Sequence, residues 1–285
     1  MRRFHLLPAP PLRPYIDRLW GWESAPGETI ALPTLLPGAG AELYFHYRQP
    51  FRHASAAGDT GAALCSTPHA AAHLLCLRNV PLALAPMAEV GFIAVRFRTC
   101  MLARFTAVPA AGLHDGPRDI ADVWGAPGRM CAARVAAADD HAARLALIQQ
   151  FLLRQLRPEH ADPLAEAAVD ILYRSQGGVR IDQLADRLHL GRRQLERRVL
   201  ASAGQSPAAL RRLCRFHHTV RALLLAPDAP GLDTALRHGY FDQAHFIHDF
   251  RALAHTTPQR FLRQASGTTH FYNPPRAPDG TIQAP

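Results

Sequence analysis

The sequence predicts an α+β chain, with a β-sandwich or barrel in its first half and an all-α domain of tandem helix-turn-helix units in its second. Three observations carry this. Fourteen of the 24 prolines fall before residue 128, between short apolar runs, whereas the later ones at 158, 163, 207, 227, 230 and 258 leave intervals long enough for helices. The apolar period changes to a helical one at Asp139. A segment of about 30 residues then recurs further along the chain. For 285 residues, two domains is the natural division.

In the first half, Thr34–Leu36, Ala41–Tyr47, Leu74–Leu77 and Gly91–Arg98 read as strands, short and bounded by Pro, Gly or Asn. In Phe92–Arg98, Phe92, Ala94, Arg96 and Arg98 fall on one face and Ile93, Val95 and Phe97 on the other, which predicts a half-buried strand. These strands make residues 1–138 a β-rich sensor or dimerisation domain. Asp139 or Asp140 then caps a helix carrying Leu145, Ile148, Leu152 and Leu156, read as a connector over 139–161 and as a surface for a homodimer. Asp162-Pro163 opens a further helix with Leu164, Ala168, Ile171 and Leu172 on one face, and with it a domain over 162–265. Residues 266–285, rich in Pro and Gly, read as a loose tail in which His270–Pro274 packs back on a domain.

Segment 181–212 resembles 232–263 at an offset of 51: Ile181 with Leu232, Leu184 with Ala235, Ala185 with Leu236, Leu190 with Phe241, Leu195 with Phe246, Val199 with Phe250 and Pro207 with Pro258. Each copy reads as two helices about a tight turn, Ile181–His189 with Arg192–Ala203 and Leu232–His238 with Asp242–Ala254, joined by one long helix over 206–226. Ala185 supplies the small side chain that such a crossing requires.

Composition excludes several chemistries. All 32 basic residues are arginine, so no lysine is available for a P-loop or a Schiff base. No G-x-S-x-G or H-E-x-x-H motif occurs. No apolar run approaches a membrane span and the first residues are not a secretory signal, so no membrane partner is expected. Five dispersed cysteines argue for a reducing compartment, and the expected location is cytoplasmic. Of the net charge of +9, residues 174–263 hold 15 arginines against seven acids, an excess that suits a polyanion.

That excess is concentrated on 192–203 (RRQLERRVLASA), where Leu195 and Val199 point inward and Arg192, Arg193, Glu196 and Arg197 outward, with Arg198 on the flank. Arginine forks match guanine O6 and N7 in a major groove, and further arginines neutralise phosphates. Glu196 either accepts from cytosine N4 or holds Arg192 or Arg193; the plain alternative for the stripe is a solvated charged face.

The C-terminal hundred residues resemble the DNA-binding module of AraC/XylS-type transcription regulators. The second unit carries the most specific match, Gly239-Tyr240-Phe241-Asp242-Gln243-Ala244-His245-Phe246, followed by Phe250-Arg251 and Thr257-Pro258. The resemblance implies base reading by Arg193, Glu196 and Arg197 in the first unit and by Gln243, Ile247 and His248 in the second. It implies phosphate contacts from Arg192, Arg198, His245 and Arg251. It also implies double-stranded DNA and RNA polymerase as partners, a small-molecule effector and no cofactor. Departures are Gly191 for an N-cap serine, Val199 for phenylalanine, Thr234 for Ile or Leu, and His255 for a glycine that stops the helix; the last two weaken the second unit. More weakly, Pro14-Tyr15-Ile16, Trp20–Glu23, Leu36-Pro37-Gly38, Glu42-Leu43 and Val95–Arg98 resemble a cupin-like sensor half.

The competing reading is a metal-binding cupin-like enzyme with an appended helical domain. Cys65, His69, His73 and Cys76 could supply a Cys₂His₂ set, with His46 and His53 as further ligands. The spacing fits no standard finger, however, and Pro68 predicts loop and strand in which His69 and His73 do not converge. Trp20, Trp22, Tyr44, Phe45, Phe92 and Phe97 read as core.

Overall fold

A computed structural model describes residues 2–32, 34–54, 67–76, 78–85, 87–113, 116–225 and 231–265. The expectations for Cys65 and for the tail after residue 265 lie outside these residues. The strands are β1 (Arg2–Leu6), β2 (Ile16–Glu23), β3 (Thr29–Ile30), β4 (Thr34–Leu35), β5 (Glu42–His46), β6 (Arg52–Ala54), β7 (Thr67–Pro68), β8 (Ala72–Leu75), β9 (Leu82–Leu84), β10 (Met87–Ala88), β11 (Gly91–Phe97) and β12 (Pro117–Asp119). Six form an antiparallel sheet in the order β1-β2-β11-β5-β8-β12. A four-stranded sheet, β4-β9-β6-β7, and the pair β10-β3 contribute to its other layer.

The six-stranded sheet is buried on both faces, which corrects the half-buried reading of β11. Phe92 and Ala94 share a core with Trp20, Trp22 and Tyr44 of the same sheet, with Phe51, and with Leu35 and Leu84 from the four-stranded sheet. Ile93, Val95 and Phe97 belong to a second core with Leu43, Phe45, Leu74 and the helices. Burial on both sides also explains why β2 escapes the sequence reading. IDRLWGWE lacks alternation and has no Pro, Gly or Asn directly at either end, yet lies between β1 and β11. Gly21 within it is required by close approach, since a Cβ there would stand 2.1 Å from the Phe92 carbonyl oxygen and 2.4 Å from Phe4 Cζ.

The helices begin earlier than Asp139. Helix α1 (Ile120–Ala137) is capped by Asp119, whose Oδ1 accepts from Ala121 N–H at 2.8 Å, and it breaks at Gly125 (φ 58°) just before Pro127. That Gly-Ala-Pro-Gly run reads as loop in sequence, so the helix around it is hidden. Helix α2 (His141–Gln155) is capped by Asp140 through Ala143 N–H at 2.8 Å. Rather than a bare connector, it is the second arm of a hairpin with α1, and Trp124 meets Phe151 edge-on at 5.6 Å.

Helix α3 (Pro163–Arg174) is capped by Asp162 and buries Ala165, Ala168, Val169 and Leu172. Then come α4 (Ile181–Arg187), α5 (Arg192–Ala203), α6 (Pro207–Leu225), α7 (Gly231–Arg237), α8 (Gln243–Ala254) and α9 (Pro258–Ala265). One apolar cluster runs without a break from the outer face of the large sheet through Trp124, Phe151 and Leu172 to Leu184, Leu195 and Val199. A separate cluster, Phe216, Tyr240, Phe246, Phe250 and Phe261, holds the last four helices together. No helix among the described residues is long and apolar enough to cross a membrane.

Candidate nucleic-acid interface

In the first unit, α4 buries Ile181, Leu184 and Ala185, and Leu190 N–H returns to the Ala185 carbonyl at 3.0 Å, closing the turn. Helix α5 follows from Gly191, with Leu195, Val199 and Ala203 inward, and stops at Gly204 in the left-handed region (φ 70°). The second unit repeats the plan. Tyr240 N–H returns to the Ala235 carbonyl at 3.2 Å, and Asp242 Oδ1 caps α8 by accepting from His245 N–H at 2.7 Å.

These bonds revise the register of the repeat. The two second helices coincide at offset 51, but the first helices and their turns coincide at offset 50. Ala185 then matches Ala235, buried like it at the crossing, while His189 (φ 52°) matches Gly239 (φ 84°) and Leu190 matches Tyr240. Phe241 is therefore an extra residue in the second turn. It stands 86% exposed, where a buried partner of Leu190 was expected, and Leu232 and Leu236 are also exposed. The signal in sequence was the glycine of the Gly239-Tyr240 pair, the residue best suited to the left-handed position.

Thr234, expected to weaken the second core, is buried, and its hydroxyl accepts from Arg237 Nη2 at 3.3 Å. His255 does stop α8, in the left-handed region at φ 53°. A buried polar network replaces part of the apolar packing. Asp249 accepts from Tyr240 OH at 2.8 Å and from Arg212 Nε at 2.5 Å, and the Arg215 guanidinium lies 4.7 Å over the Tyr240 ring.

On α5, Arg193 and Arg197 are exposed one turn apart, and neither meets a carboxylate among the described residues. Arg192 is exposed too, but pairs with both Asp182 and Glu196 at 3.1 Å. Glu196 thus holds Arg192 rather than Arg193. On α8 the positions matching Arg193 and Arg197 are Ala244 and His248, both exposed. Gln243, Ile247 and Arg251 line up along the neighbouring face and border an apolar cavity of about 410 Å³ with Leu223, Leu232 and Leu262. His245 is half-buried. Its Nδ1 accepts from Phe241 N–H at 3.3 Å and its ring meets Tyr240 edge-on, so one nitrogen is committed to the turn.

Arg198 departs from its expected phosphate role. Its Nη1 donates to both Asp162 oxygens, at 3.0 and 2.9 Å, on the side of α5 that faces the first half of the chain. Ser202 on the same face meets Cys100 Sγ at 3.2 Å, Gln205 just beyond donates to Asn79, and Arg104 grips Glu166 with bonds of 2.6 and 2.8 Å. A cavity of about 460 Å³ opens along this seam, with Cys76, Cys100, Val108, Arg198 and Ser202 in its wall.

The histidines of the β-layer converge where loop and strand were expected to separate them. His69 Nδ1 and His73 Nε2 are 3.2 Å apart, and His46 stacks on His73 at 5.2 Å. Burial first, then the neighbouring His69, pushes the His46 pKa down to about 3; burial likewise holds His73 well below the usual imidazole range. Cys76 lies instead at the seam. Among the described residues no group of three or more His, Cys, Asp or Glu side chains is placed to hold a metal ion.

A family model described as a helix-turn-helix domain matches residues 184–264. Among solved structures, the chain is similar to the C-terminal domain of AraT, a response regulator from Geobacillus stearothermophilus, at 24% identity over 36% of this chain and 86% of that one (TM-score 0.34). It is also similar to ToxT from Vibrio cholerae, at 11% identity over 86% of this chain and 97% of that one (TM-score 0.46). A search of curated proteins finds no match. Residues 184–264 are an AraC-type helix-turn-helix domain, a DNA-binding fold.

Proposed function

We propose that the chain is a sequence-specific DNA-binding transcription regulator, with α5 and α8 reading two stretches of one duplex. The observation that carries this is the pair of exposed, carboxylate-free arginines Arg193 and Arg197 on a helix whose inner face is fixed by Leu195 and Val199. Helix α6, about 28 Å long at about 1.5 Å per residue, is of the length that sets two such units on adjacent turns of B-form DNA. Arg193 and Arg197 take base edges, as do Gln243, Ile247 and His248. Arg251 takes phosphate, and Nε2 of His245 is its remaining contact atom. Arg192 reaches phosphate from its pairs with Asp182 and Glu196, which are solvent-exposed and yield at small cost. Glu196 holds Arg192 until DNA is met. The first half of the chain senses an effector or pairs with a second copy, and RNA polymerase is the partner that a transcription regulator addresses.

Selection of bound DNA from a random pool tests the reading. A site of two conserved blocks one helical turn apart is expected, and a single block or an unselected pool overturns it. Within that site, Arg197→Ala should cost about 1–3 kcal/mol and relax one base position. Arg192→Ala should weaken all sequences alike and reduce the salt slope by about one contact. Equal profiles for the two variants across a randomised panel would refute the division of roles.

A further inference from the structure

The two outward-facing second helices do not offer the same chemistry to a duplex. On α5 the outer positions carry the exposed arginines Arg193 and Arg197. At the matching positions α8 carries Ala244 and His248, also exposed, and just ahead of its cap stands Phe241, 86% exposed. One exposed aromatic is ordinary on a protein surface; Phe241 is set apart by its place. It is the extra residue of the second turn and directly precedes Asp242, the cap of α8. The N-terminal end of a recognition helix is the end that meets base edges in the major groove. The backbone there is also pinned. Phe241 N–H donates to His245 Nδ1 at 3.3 Å, His245 N–H donates to Asp242 Oδ1 at 2.7 Å, and the His245 ring packs edge-on against the buried Tyr240. The turn thus holds the Phe241 ring in solvent at a fixed position instead of folding it under, as it does Tyr240.

We propose that Phe241 is a specificity-determining contact for the 5-methyl group of thymine, so that the second unit reads an A·T block while Arg193 and Arg197 read guanine in the first. Apolar side chains pair with the thymine methyl, and arginine forks pair with guanine O6 and N7. The Phe241 ring has no group to replace the water at a guanine or cytosine edge, whereas a thymine methyl gains burial against it. Ala244, small and likewise without a side-chain polar group, leaves room beside the ring. His248 has no bidentate fork for guanine, and Gln243 on the neighbouring face has the amide that pairs with adenine N6 and N7. Both faces of α8 therefore favour A·T. The expected site is asymmetric, with guanine under α5 and thymine under α8, which gives the chain a single direction on DNA. This assignment rests on the reading of α5 and α8 as the helices that meet the duplex, and adds to it a contact residue and a base class.

The test uses the duplex that the full chain selects from a random pool. The block whose preference relaxes in Arg197→Ala lies under α5, and the other lies under α8. Each thymine of the α8 block is replaced in turn by deoxyuridine, which keeps the base pair and removes only the methyl group. Binding by the unmodified chain should weaken about fourfold at one or more positions, the worth of one buried methyl. Phe241→Ala should weaken binding to the thymine duplex by a similar factor and bind the thymine and deoxyuridine duplexes equally at its position. Phe241→Leu should keep the preference for thymine. Because Phe241 is exposed, neither variant touches the core. Two selected blocks with no thymine in the second, no deoxyuridine effect there, or an effect that persists at every position in Phe241→Ala would overturn this inference alone. A single block or an unselected pool would overturn it together with the reading of two helices on one duplex.

Discussion

At His255 the backbone turns left-handed (φ 53°) so that its N–H can close on the Arg251 carbonyl at 3.0 Å and end α8. Gly204 does the same for α5. An L side chain costs roughly 1 kcal/mol in that region, and the greater freedom of an unfolded glycine offsets part of it. His255→Gly should therefore stabilise the chain by about 0.5–1 kcal/mol, read as a higher urea midpoint at unchanged m-value. No gain would mean that the His255 side chain holds the cap in some other way. The departure at 255 was legible in sequence, as were the caps Asp162 and Asp242 and, as one of two candidates, Asp140, because a cap acts within three residues. Phe241 was not legible, since its exposure follows from a one-residue insertion that apolar pairing by itself cannot locate. Nor was the engagement of Arg198, whose carboxylate partner lies 36 positions away.

At the scale of elements, α6, α8 and the second turn meet at Asp249. Removing that carboxylate strands the buried Arg215 charge and the Tyr240 hydroxyl, while the exposed Arg212 turns to water. Asp249→Ala should thus cost about 3–5 kcal/mol, whereas Asp242→Ala, which removes one exposed cap, should cost about 1 kcal/mol. Urea unfolding followed by circular dichroism distinguishes them, and equal losses would contradict a buried network. Strands β5 and β8 make a second case. Burial keeps His46 neutral, with a pKa of about 3 in the fold against about 6.5 unfolded. The unfolded chain therefore binds more protons in this window. Stability is full above about pH 6.5 and falls as pH drops toward 3, at up to about 1.4 kcal/mol per unit. His46→Phe should flatten that slope between pH 6.5 and 5, and an unchanged slope would assign it to other histidines. The strands themselves were legible where Gly or Pro marks an end. They were obscure where both faces are buried, as in β2, because alternation arises only when one face meets water.

For the whole molecule, the two halves expected from the proline distribution exist as a β-layer and a helical layer, but the core between them is continuous. Phe97 and Phe105 join through Trp124 and Phe151 to Leu172 and Val199. Polar links across the seam add to it, Arg104 to Glu166 and Ser202 to Cys100 among them. Sequence could not disclose this, because a helix stripe does not name the surface it covers. The consequence can be measured with probes already in the chain. All three tryptophans, Trp20, Trp22 and Trp124, lie in the first half and are buried, while most helical residues lie in the second. Tryptophan fluorescence thus follows one half and the 222 nm ellipticity chiefly the other. With a shared core the two should report a single coincident unfolding transition in urea. A fragment spanning 158–265 should bind the same DNA site yet unfold at lower urea, because the inward faces of α3 and α5 lose the sheet-side half of their core. Separate midpoints in the full chain, or a fragment as stable as the whole, would show that the seam transmits no free energy and that an effector sensed by the first half could not reach the recognition helix through it.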